Sequence, residues 1–175
     1  MEHVSWLTKL VNHYLGGFAL SLDAALHITP YNREYPIPEH VVMALAVLLI
    51  DVARSSENRV EEREEGVIER ALTRRFGLDQ SEVIRLVKAA EEGALQATDL
   101  FHFTQVVVYN FSDEGRIGVI EMLWEVAYAD GVLTGDEDTL IRRVAGLIDV
   151  SDRDRGDAKL RVRERLEGTG DPSTP

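Results

Sequence analysis

Apolar residues recur every three or four positions along most of this chain, the spacing of helices that bury one face. Trp6, Leu7, Leu10, Val11, Tyr14 and Leu15 open the pattern and predict an amphipathic helix that ends or bends at Gly16-Gly17. A short helix is predicted over 18–26. Pro30, Pro36 and Pro38 then make an extended linker of the stretch that follows His27. From 39 to 54 the chain is apolar on most sides, which predicts a central helix. A charged amphipathic helix is expected over 60–76, closed by Gly77. Asp79 to Glu82 has the form of a capping box and starts the next helix, to about Gly93.

Further along, 98–111 is read as helix. Its valines at 106–108 also suit a strand, but Asp99 and Thr104 fit a helix start and no pairing hairpin lies nearby. Ser112 caps a helix running to about Ala129, with Asp113 and Glu114 placed for the N-terminal dipole. Asp130-Gly131 is a turn. Thr134 to Glu137 forms a second capping box, opening a helix through Leu147, and Ser151 begins a last helix to about Leu166. The expected organisation is an amphipathic segment (1–27), a linker (28–38), one helical domain (39–167) and a tail (168–175). The fold class is all-α, a single-domain helical bundle.

Two segments resemble one another. Residues 48–53 align with 122–127 at an offset of 74, and 65–78 align with 137–150 at an offset of 72, the drift being assigned to two extra residues in the first turn. Each unit is an apolar helix, an acidic turn and an amphipathic helix, as expected of an internal duplication whose copies share one core.

Charge narrows the functional classes. The 175 residues carry a net charge of −12, and from Glu91 to Asp138 eleven carboxylates face one arginine, Arg116. Such a stretch repels phosphate backbones, so nucleic acid is excluded as a partner, and it attracts cations or basic proteins. With no cysteine, thiolate chemistry and zinc–cysteine sites are ruled out, and a reducing cytoplasm is the expected location. The longest unbroken apolar run, 41–50, is too short to cross a bilayer, and no cleavable secretory signal is expected. With one lysine, Lys9, beside the stripe of Trp6, Leu10 and Tyr14, packing on the domain or a partner is expected over lipid contact.

Leu123-Trp124-Glu125-Val126-Ala127-Tyr128-Ala129-Asp130-Gly131, then Glu137-Asp138 and Leu140-Ile141-Arg142-Arg143-Val144-Ala145, resembles the pattern of the TerB (tellurite resistance protein B) family. Asp99 to Thr104 and His40 extend the likeness, which covers roughly 39–155. The resemblance implies an all-helical domain related to the N-terminal domain of the DjlA co-chaperone, linked to tellurite and chemical stress, with no enzymatic activity established. One departure stands out: where the first unit should repeat Ala-Asp-Gly, it reads Ser55-Ser56-Glu57-Asn58.

Asp51 and Glu125 occupy equivalent positions in the two units, and Asp130 and Glu137 flank the second turn. Four such oxygen ligands suit a hard divalent cation, Ca²⁺, Mg²⁺ or Mn²⁺. Against this stands a structural reading, in which Asp130 makes a turn, Glu137 completes the Thr134 cap, and Asp51 and Glu125 pair with Arg142 or Arg143. An EF-hand loop begun at Asp130 fails, because Val132 and Ile141 fall where oxygen ligands are required. The five histidines show no ligand-spaced pair, and no phosphate loop, nucleophile elbow or zinc-protease signature is present. The expected function is a non-enzymatic binding module with a divalent cation as its one candidate cofactor. The alternative is an acidic protein-interaction or co-chaperone-like adaptor without metal. A protein partner is expected in either case.

Overall fold

The computed structural model describes residues 38–57, 60–97 and 99–168. The readings for the N-terminal segment, for the linker up to residue 37 and for the tail after Gly168 lie outside these residues.

Seven helices, and no strand, make up the described residues. They are α1 (Glu39–Glu57), α2 (Glu62–Phe76), α3 (Gln80–Gln96), α4 (Phe101–Asn110), α5 (Asp113–Ala127), α6 (Gly135–Leu147) and α7 (Asp152–Gly168). The valines of 106–108 lie within α4. Helix α1 is the axis of the bundle: its residues 41–50 are all buried, and α2, α3, α4, α5 and α6 each pack on it. Close packing demands small side chains somewhere, and Gly93 of α3 provides one: a Cβ there would stand 3.4 Å from Val47 Cγ2 of α1. A single core gathers Val42, Leu45, Leu49 and Val52 with Ile120, Leu123, Val126 and Ala127, as their spacing predicts.

The helix ends follow from side-chain chemistry. Asp79 Oδ1 accepts a hydrogen bond from Glu82 N while Glu82 Oε2 accepts one from Asp79 N, closing the capping box expected for α3. Ser112 caps α5 through Gly115 N, and Ser151 caps α7 through Asp154 N. Asp99 accepts from Phe101 N, so its turn precedes α4, which starts at Phe101 rather than at 98. Gly77, with φ of 66°, ends α2 in the left-handed region that glycine enters without steric cost. Asp149 does the same after α6 with φ of 58°, a region aspartate tolerates better than most residues.

The register between the two helix–turn–helix units differs from the sequence alignment. Buried Glu64, Ile68, Ala71 and Leu72 of α2 correspond to buried Glu137, Ile141, Val144 and Ala145 of α6, an offset of 73. At an offset of 72, Glu65 would stand for Glu137, yet Glu65 is exposed and Glu137 is buried. Only at the helix exits, Gly77 and Asp149, does 72 hold. The burial patterns of α2 and α6 thus match at 73, where the sequence alignment has 72.

Helix α7 closes the bundle over α5. Trp124, fully buried, donates from Nε1 to Arg155 O at 3.3 Å, and Lys159 Nζ stands 4.5 Å from the centre of its ring. Lys159 also donates to Asp138 Oδ1 at 2.6 Å, a bond that holds the Asp138 carboxyl below its ordinary range.

Candidate acidic site at the starts of two helices

Glu137 is placed by the start of α6. Its Oε2 accepts from Thr134 N at 2.7 Å and from Thr134 Oγ1 at 2.8 Å, while Thr134 Oγ1 accepts from Glu137 N at 3.3 Å. The reciprocal bonds satisfy donors that a helix start leaves open, and they let a carboxylate be buried at 3% exposure. Asp130, exposed, accepts from Val132 N at 2.8 Å and shapes the turn in which Gly131 takes φ of 86°.

The start of α2 repeats this arrangement with an unusual residue. Glu61 stands at the N-cap, where Ser, Thr, Asp or Asn is ordinary, and Glu64 Oε2 accepts from Glu61 N at 2.7 Å. Glu64 is 6% exposed. Burial pushes its pKa up to about 7; the bond from Glu61 N opposes the rise, and the charges of Glu137, Glu61 and Asp130 add to it. Two sequence-predicted ligands, Asp130 and Glu137, thus act on one buried carboxyl that the sequence reading missed. Its signal was present: an offset of 73 places Glu64 on Glu137.

The other two predicted ligands sit among arginines. Glu125, its side chain 11% exposed, receives Arg165 Nη2 on Oε1 at 2.7 Å and Arg74 Nη2 on Oε2 at 2.8 Å. These partners are not the expected Arg142 or Arg143. Arg142 instead pairs with Asp138 at 3.7 Å. Asp51 is half-buried, and desolvation raises its pKa against the lowering charges of Arg54 and Arg143. The charge of Arg143 thus acts on Asp51.

Among the described residues, no group of three or more Asp, Glu or His side chains is arranged to hold a metal ion as it stands. The second oxygen of Glu64 and of Glu137, Oε1, is not the oxygen that either cap uses. The arrangement offers one buried carboxyl that keeps its proton toward neutral pH, Glu64, with the charge of Glu137 acting on it, and ion pairs at Glu125.

Among the described residues no helix is long and apolar enough to cross a membrane. Neither a curated protein nor a solved structure gives a significant match to the chain. A family model described as tellurite resistance protein TerB matches residues 42–160, from the central helix into α7 and across both acidic turns, and the chain belongs to the TerB family.

Proposed function

We propose that this TerB-family chain is a non-enzymatic, cytoplasmic module of the tellurite and chemical stress response that takes up a hard divalent cation at its acidic helix starts. Asp130 and Glu137 are its first ligands, and Glu64 joins them. The observation carrying this reading is Glu64: a carboxyl at 6% exposure whose strongest charged neighbours are further carboxylates. Such a group relieves its repulsion by holding a proton or a cation. Glu125 joins the shell only on release from Arg74 and Arg165, and Asp51 only against the charges of Arg54 and Arg143. The two units are read as copies of one ancestral helix pair, which explains why a capping carboxylate is buried at the same place in each.

Calorimetry with Ca²⁺, Mg²⁺ and Mn²⁺ tests this. A saturable heat is expected, with a rise in Tm that sodium chloride at matched ionic strength does not reproduce. Glu137→Gln keeps the capping geometry and removes the charge, so it abolishes the response, as does Asp130→Asn. No saturable heat into the millimolar range, or a Glu137→Gln variant that responds like the parent, defeats the cation reading. A second reading, an acidic adaptor or co-chaperone-like module for a basic protein partner, is favoured by the arginine-bound state of Glu125, since carboxylates already paired serve shape rather than metal.

A further inference from the structure

Helix α4 is unlike the rest of the surface. No Lys, Arg, Asp or Glu occurs from 100 to 112, in a chain of net charge −12. Its inner side is buried through Phe103, Thr104, Val106 and Val107. Its outer side carries Phe101 and Tyr109, each 57% exposed, with half-buried Gln105 between them at helical spacing. Across the short link to α3 stands Leu95, 67% exposed. Among the described residues, Leu95, Phe101 and Tyr109 are the most exposed large hydrophobic side chains after Val132 is set aside; Leu95 and Phe101 flank the link between α3 and α4, and Tyr109 lies about two turns further along α4. An uncharged aromatic stripe of this kind marks a contact surface.

We propose that the stripe Phe101–Gln105–Tyr109, with Leu95, is the seat of the chain's own N-terminal segment, which lays Trp6, Leu10 and Tyr14 across it. The inference is independent of the cation reading. Both surfaces have the same spacing, i, i+4, i+8, and both are poor in charge: residues 1–27 carry only Glu2, Lys9 and Asp23. Reach is sufficient. Gly93, two residues from Leu95, touches Val47, which lies about 12 Å along α1 from Glu39. The linker 28–38 spans up to roughly 35 Å when extended. A tethered segment also acts at an effective concentration on the order of millimolar. A second copy seated on the same stripe would instead bring together two bodies of charge −12 each.

The test uses the full chain and the emission of Trp6, taken as the difference between the parent and Trp6→Phe, because Trp124 is the other tryptophan. Docking predicts a blue-shifted Trp6 signal, shielded from acrylamide and independent of protein concentration. Phe101→Glu and Tyr109→Glu, at exposed positions, should shift that signal to the red and make it quenchable several-fold more readily, with far-ultraviolet circular dichroism unchanged. Should a glutamate variant lose its helical signal, Phe101→Ala gives the same readout without a buried charge. Several results overturn the proposal: a solvent-like Trp6 in the parent, a shielded Trp6 indifferent to these substitutions, shielding that grows with protein concentration, or shielding that requires anionic vesicles.

Discussion

Replacing Glu125 by glutamine separates a structural strut from a cation ligand, because the two roles predict opposite behaviour in metal-free buffer. Glu125 joins three helices: it sits on α5, takes Arg74 from α2 on one oxygen and Arg165 from α7 on the other. Both arginines are substantially exposed, at 67% and 45%, so water and salt screen each pair and a value of about 0.2–1 kcal/mol apiece applies. Arg165 also stands 3.6 Å from Glu121 and leans on it when Glu125 loses its charge, which limits the damage. The expected loss for Glu125→Gln is therefore about 0.4–2 kcal/mol, a fall in Tm of roughly 1–8 °C for a chain of this length. Urea melts in chelator give the first number. A double-mutant cycle with Arg74→Ala and Arg165→Ala gives the coupling, which should account for most of the loss and shrink at high salt. An unchanged urea midpoint in chelator would refute the strut, as would an equal loss in the background that lacks both arginines.

Two further outcomes follow from burial and from charge. Leu49→Ala, in the middle of α1 and buried among both units, should cost about 2–5 kcal/mol in the same urea melts, and a near-neutral result would contradict a single shared core. Glu64, whose pKa rises from 4.5 to about 7 on folding, binds its proton more tightly in the folded chain. Stability should thus fall as pH rises from about 4.5 to 7 and level off above, and Glu64→Gln should flatten that slope and be the more stable protein at pH 8; a stability that climbs through this window in chelator would reverse the sign.

Much of the fold was legible because helical signals are local. The capping box at Asp79, the serines at 112 and 151, and Gly77 after α2 each act within four residues of where they are read. The central place of α1 was legible because a helix apolar on most sides has nowhere else to go. Starts were misplaced where the cap is an unusual residue: Glu61 caps α2 without a side-chain bond of the common kind, and Leu100 precedes α4. The partners of Glu125 were not legible, because Arg74 and Arg165 lie 51 and 40 residues away in sequence and meet only when α2 and α7 pack beside α5.

Glu64 shows the same limit in a sharper form. In the sequence it is one of four glutamates in a run of five, with nothing to distinguish it from its solvated neighbours. Its burial follows from the third position of a capped helix start, where the side chain must turn back toward the N-cap nitrogen. Its raised pKa follows first from that burial, and the charges of Glu137, Glu61 and Asp130 add to it. Each step is ordinary capping chemistry, worth little alone. The same local rule applied at two helix starts buries two carboxyls, Glu64 and Glu137, and the charge of the second reaches the first, so this end of the bundle responds to pH.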